Sequence, residues 1–208
     1  MTIRRGDNTP PMAGLDTVIC EACSATVPNY DTIHIGNLEH GYQQLCNQCF
    51  NAQMAERSGL KNFDNHRIES MLLVDSDGKN HQFHFTTHLF GDKVAIEAFE
   101  MEDGIRGGYK FQVLGEPDEE RFALLGQLVQ KMRRALAVKH LTRAPRCGWL
   151  IADQCVRGRI DSDLESPIRM PMLVIDGQKI TWEEFGQMLM SFEGWQFRLD
   201  IVDYSQET

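Results

Sequence analysis

The chain has 208 residues and a mass of 23.8 kDa, enough to bury a substantial core as one domain or as two small ones. Its 42% hydrophobic and 25% charged residues are ordinary for a globular protein, and a formal net charge of −9 argues against a general electrostatic grip on nucleic-acid phosphates. No run approaches the ~18–20 apolar residues of a membrane span, so an integral membrane protein is not expected.

Residues 1–15 carry Arg4 and Arg5 and then Gly6, Asp7, Pro10 and Pro11, with no apolar stretch that would serve as a secretory signal. They read as a disordered tail on a cytoplasmic protein.

Residues 16–66 hold the strongest motif. Cys20-Glu-Ala-Cys23 and Cys46-Asn-Gln-Cys49 are two C-x-x-C pairs, and each can turn two thiolates toward one ion from a single tight loop. Together they complete the tetrahedral shell that Zn(II) takes in closed structural sites, which leaves no position for water or substrate. Disulfides are the poorer reading for a chain that otherwise looks intracellular. His34 and His40 lie between the pairs and are read as surface residues, because four thiolates suffice. From Asp16 to Cys49 there is no Lys or Arg. Four thiolates and one Zn(II) add −4 + 2 = −2 to the formal −9, which makes a nucleic-acid finger less fitting still.

After Cys49, Phe50 to Arg57 reads as a short helix ended by Ser58-Gly59. The knuckle, the hairpin between the pairs, the second knuckle and the helix it opens resemble the treble-clef type of zinc finger. That resemblance implies one structural zinc ion held by Cys20, Cys23, Cys46 and Cys49. It implies no particular partner, since the class includes nucleic-acid binders, protein binders and purely structural modules.

Residues 67–145 change period. Met71 to Asp75 and His81 to Leu89 flank the turn signal Ser76-Asp77-Gly78, and Val94 to Glu100 and Tyr109 to Val113 follow, so a four-stranded antiparallel meander is expected. The alternation sends His81 to one face with Phe83 and Phe85, and His84 and His88 to the other with Thr86, where water is expected to meet them. A helix is expected from Pro117 to about Leu141, with Phe122, Leu125, Val129, Met132 and Leu136 as the stripe that covers the sheet. Lys131, Arg133, Arg134, Lys139, Arg143 and Arg146 form the one basic cluster, read mainly as charge that suits the end of a helix.

Residues 146–208 read as a β-β-α-β section that could share the preceding core. Its strands are Cys155 to Asp161, Met172 to Ile175 and a terminal Trp195 to Ile201, in which Trp195, Phe197, Leu199 and Ile201 alternate with polar residues. Thr181-Trp182-Glu183-Glu184 is a capping box ahead of a helix with Trp182, Phe185, Met188, Leu189 and Phe192 on one face. Cys147 and Cys155 are expected to be buried and inert. The stretch from Ile175 through Trp182 to Trp195 resembles uncharacterised bacterial proteins with no assigned activity, which implies a bacterial setting and no mechanism.

The sequence therefore predicts an α+β protein that binds zinc and acts, without catalysis, as a protein-interaction or regulatory protein with a protein partner. Two rivals stand beside this. A nucleic-acid-binding regulator would use the basic segment 131–146, and a metal-dependent or thiol enzyme would use His84, His88 or Cys147. No phosphate loop, nucleophile elbow or H-E-x-x-H helix is present to favour an enzyme.

Overall fold

The structure, a computed structural model, describes residues 16–37, 41–145, 148–163 and 166–204. The expected tail at 1–15 and the residues His40, Arg146 and Cys147 lie outside the described residues.

Two short strands, β1 (Thr17–Ile19) and β2 (Thr26–Pro28), pair across the first cysteine loop with Val18 opposite Val27. A second hairpin follows, β3 (Thr32–Asn37) with β4 (Gly41–Cys46), and helix α1 (Asn47–Arg57) opens directly from its end. Cys20, Val27, Leu45, Cys46 and Phe50 form a small core of their own. So few apolar residues bury little area, and a unit of this size ordinarily needs a metal or a neighbour to hold it.

The neighbour is a four-stranded antiparallel meander of β5 (Met71–Val74), β6 (Asn80–Phe90), β7 (Lys93–Glu102) and β8 (Ile105–Gly115), in that spatial order. Its period of two puts Phe83, Phe85 and Leu89 on one face, where helix α2 (Arg121–Leu136) covers them with Leu124, Leu128, Met132 and Leu136. Each such fully buried side chain stabilises by about 1.5–3 kcal/mol.

The covering stripe is therefore not the expected one. Met132 and Leu136 are buried as predicted and Leu125 packs half-buried against the same core, but Leu124 and Leu128 take the central places expected of Phe122 and Val129, and Phe122 is 77% exposed. The helix also begins at Arg121 rather than Pro117 and ends at Leu136 rather than near Leu141. Residues 116–119 form a turn closed by Glu119 N–H on Glu116 O, which delays the start. At the other end, the Asp176 carboxylate takes the N–H groups of His140 and Leu141, so those amides leave the helix.

The second face of the sheet is polar, yet His84 and Thr86 are buried on it. The cysteine module closes over them. Tyr30, just ahead of β3, packs its ring edge-on to Phe99 at 5.4 Å, and its hydroxyl lies 3.2 Å from His84 Nδ1. Arg106 donates to Tyr30 O and to Glu97 while its guanidinium lies 4.1 Å over the Phe99 ring. The expectation that His84 meets water is thus corrected, since periodicity identifies a face but not what covers it.

Beyond the end of short β5, the outer edge of β6 is free for helix α1. There the buried Asn51 donates from Nδ2 to Thr87 O at 2.8 Å and accepts Leu89 N–H on Oδ1 at 2.9 Å. Its amide stands in for one residue of a missing strand.

The rest of the described chain has a third core. A hairpin of β9 (Leu141–Ala144) and β10 (Gly148–Ile151) lies against a sheet ordered β11 (Arg159–Ser162), β12 (Pro171–Ile175), β13 (Gln178–Thr181), followed by helix α3 (Trp182–Leu189). Leu141, Ile175, Ile180 and Met188 are its buried members. The Thr181–Glu184 capping box forms as read from the sequence. Cys155 to Gly158 is not strand, and Trp195 to Ile201 is not strand either. A two-sided alternating segment becomes a strand only when an edge accepts its backbone, and no edge of the described chain takes this one.

Replacing Asn51 with Ala leaves Thr87 O and Leu89 N–H without partners at a buried edge. A loss of about 2–4 kcal/mol is expected, because each unsatisfied buried group costs about 1–3 kcal/mol. Urea unfolding of the variant checks this, and an unchanged midpoint would show that the Asn51 bridge contributes nothing.

Candidate metal centre

The four cysteines come together from two loops. Cys20 and Cys23 sit on the turn between β1 and β2, where Ser24 N–H bonds to Cys20 O, and Cys46 and Cys49 flank the first turn of α1. Their sulfurs lie within 4.8 Å of one another, and Cys23 Sγ is 3.9 Å from Cys46 Sγ. Zinc–sulfur bonds of ~2.3 Å in a tetrahedron place sulfurs ~3.8 Å apart, so the donor set and its spacing fit such an ion. All the described cysteines are free thiols, and 3.9 Å is far beyond the ~2.05 Å of a disulfide.

The backbone prepares the site for negative sulfur. Cys46 N–H donates to Cys20 Sγ at 3.2 Å, and Cys49 N–H donates to Cys46 Sγ at 3.4 Å. Burial works against ionisation of Cys20, but amides of Cys46, Cys23 and Ala22 outweigh it and bring the thiol down to about 6. Burial pushes Cys46 up and Cys49 well above the ordinary thiol range, with the neighbouring sulfurs adding to the effect at Cys49. One thiolate is favoured and further ones are repelled. A dication among the four sulfurs removes that repulsion, and the chemistry of the site therefore suits a metal ion.

The other residues singled out from the sequence do not converge. His34 is exposed on β3, as expected. His84 is buried under Tyr30, and burial lowers its basicity. His88 is half-buried, packs tilted on Phe90 at 5.7 Å and is likewise lowered by burial. Cys155 is exposed rather than buried, because the strand expected to carry it does not form. In the basic cluster, Lys139 is held by Asp75 at 2.5 Å, Lys131 bridges Gln112 O and Tyr204 O, and Arg143 lies 5.5 Å over the Trp149 ring. Arg133 and Arg134 are exposed on α2.

One cluster escaped the sequence reading. His81, 2% exposed, has Nε2 3.0 Å from Asp75 Oδ2 and Nδ1 2.8 Å from Glu100 Oε1. Each ring nitrogen of His81 therefore faces a carboxylate oxygen within hydrogen-bond distance. Burial would raise the Asp75 carboxyl, but Lys139, His81 and the Lys79 N–H hold it well below the usual carboxylate range. Glu100 also accepts Tyr109 N–H at 2.8 Å across a β-bulge. At that bulge Gly108 has φ +54°, and a Cβ there would lie 2.3 Å from Glu100 Oε2. Among the described residues the buried Tyr109 hydroxyl has no hydrogen-bond partner, and burial with the surrounding carboxylates raises its pKa. The signal in the sequence was His81 on the apolar face beside a turn carboxylate, which pattern alone does not distinguish from a core histidine.

The fold and the site together define a mixed α+β protein with a four-cysteine cluster that could hold a metal ion. Three family models match the chain in succession, each described as a domain of unknown function: DUF7685 over residues 19–61, DUF7686 over 64–137 and DUF7713 over 140–206. No curated protein and no solved structure matches. Among the described residues, no helix is long and apolar enough to cross a membrane.

The Asp75 carboxylate, depressed in the folded state, contributes stability that is present above its unfolded value and is lost as pH falls toward the folded one. Asp75→Asn should therefore cost about 3–5 kcal/mol at neutral pH, with the difference beginning to shrink below the ordinary carboxylate value and most of the decline lying below pH 3. Unfolding curves of both proteins across that range test it, and a pH-independent difference would rule out the carboxylate as the cause.

Proposed function

We propose that Cys20, Cys23, Cys46 and Cys49 hold one structural zinc ion in a treble-clef-like module, and that the chain is a non-catalytic protein-interaction or regulatory protein. The observation that carries this reading is the closed set of four sulfurs, within 4.8 Å of one another and served by backbone N–H donors. Four protein ligands fill a tetrahedral shell, so the ion organises structure and has no place for a substrate. When bound, zinc supplies positive charge that lets all four thiols ionise. The chain's own residues then fix the knuckles, seat Tyr30 on the sheet and present the outer surface of the module. The absence of Lys and Arg between Asp16 and Cys49 favours a protein partner over nucleic acid.

Purified, reduced protein should contain about one zinc per chain, released as four thiols become reactive. Of the six cysteines in the chain, Cys147 and Cys155 should react without any effect on the metal. The Cys46→Ser, Cys49→Ser variant should lose the zinc. Zinc well below stoichiometric in the wild type, or undiminished in the variant, would overturn the assignment.

A further inference from the structure

The turn that carries Tyr30 is placed from both cysteine loops. Asn29–Asp31 follows β2, which pairs with β1 across the Cys20–Cys23 loop, and leads into Thr32, which stands opposite Cys46 in the β3–β4 register. Thr32 Oγ1 closes the turn by donating to Asn29 O at 2.7 Å. Beside it, the buried Asp31 accepts from Nδ2 of Asn47, the residue after Cys46, at 2.8 Å, and takes the Arg67 guanidinium on its other oxygen. Whatever moves the sulfurs moves Tyr30.

The two hairpins and α1 differ in what holds them. The β1–β2 and β3–β4 pairs are separate two-stranded sheets, and a lone two-stranded hairpin is marginal in water. They meet at the sulfurs, where Glu21 N–H reaches Gln44 O at 3.0 Å and Cys46 N–H reaches Cys20 Sγ at 3.2 Å. Helix α1 has its own grip on the sheet. Ala55 belongs to the core beneath α2, the Phe50 and Phe90 ring centroids lie 6.4 Å apart, and Asn51 bonds to both Thr87 and Leu89.

We propose that metal occupancy of the four cysteines gates the seam between the hairpins and the central sheet. With an ion bound, Tyr30 covers His84 and Thr86; without it, the two hairpins lift from that face while α1, α2 and the four-stranded sheet stay folded. The inference rests on the metal reading above and adds a moving part to it. When the ion leaves, the sulfurs take up protons and lose the common centre that held the two hairpins together. The seam itself is polar and thin, made of the Tyr30 hydroxyl on His84, its ring edge on Phe99 and its carbonyl on Arg106. The face uncovered carries His84, Thr86 and the Phe99 ring, so the chain presents one surface with the ion and another without it.

Imidazole NMR of the full-length protein, with zinc content measured alongside, reads the gate at His84. In the zinc-loaded protein burial should hold its midpoint below the ordinary imidazole value of about 6.5, and chelation should bring it up to that value. The N–H groups of β7, the inner strand between β6 and β8, should stay protected from exchange in both states. Tyr30→Ala should raise the His84 midpoint with zinc still bound and four thiols still unreactive, since Tyr30 is not a ligand. Should that variant fail to fold, chelation of the wild type decides alone. Protein that carries no zinc as purified would overturn the metal reading and the gate with it. Zinc that can be removed with no change at His84 would leave the metal reading intact and overturn the gate. Loss of β7 protection on chelation would also overturn it, because the ion would then support the whole fold.

Discussion

Burial of the polar face of the central sheet is the constraint around which the molecule is arranged. His84 and Thr86 would ordinarily face water, and they are covered because Tyr30 and Arg106, the latter paired with the half-buried Glu97, close the cysteine module onto them. Buried polar groups of this kind are tolerable only when each finds a partner. The module in turn has too small a core to stand by itself, so the two parts stabilise each other. Asn51 extends the same dependence to the sheet edge, where a helix of the module completes a ladder that β5 is too short to continue.

That coupling gives the cysteine cluster a reach beyond its own loops. Cys46 and Cys49 set the start of α1, and α1 carries Asn51 to the edge of β6. Whatever orders the sulfurs also orders the approach of Tyr30 and Asn51. A structural ion here would act on sheet geometry through packed elements, without touching the sheet.

Much of this was legible in the sequence because it is local. The spacing of Cys20, Cys23, Cys46 and Cys49 brought the four sulfurs together, and the alternation of Phe83 and Phe85 with His84 placed their faces correctly. The capping box at Thr181 is a three-residue contact and formed as read. What failed was non-local. Both Val129 and Leu128 fit a helical stripe, and only the position of the sheet selects Leu128. His81 could not be distinguished from a lone core histidine until Glu100, nineteen residues away, was seen beside it. Trp195 to Ile201 has every intrinsic mark of a strand, but strand formation is a property of two segments.

The bulge at Gly108 has a consequence at a distance. Glu100 reaches both His81 and Tyr109 N–H only because position 108 has no side chain, and His81 in turn holds Asp75, which holds Lys139 where the chain leaves α2 for the third core. The oxygen of Gly108 meanwhile receives Arg159 from β11 of that core. A single methyl group at this point would thus disturb the seating of the C-terminal third from two directions, although it would touch none of the apolar residues there. Residue 108 acts by the room it leaves empty, which Glu100 fills on one side while its own oxygen takes Arg159 on the other.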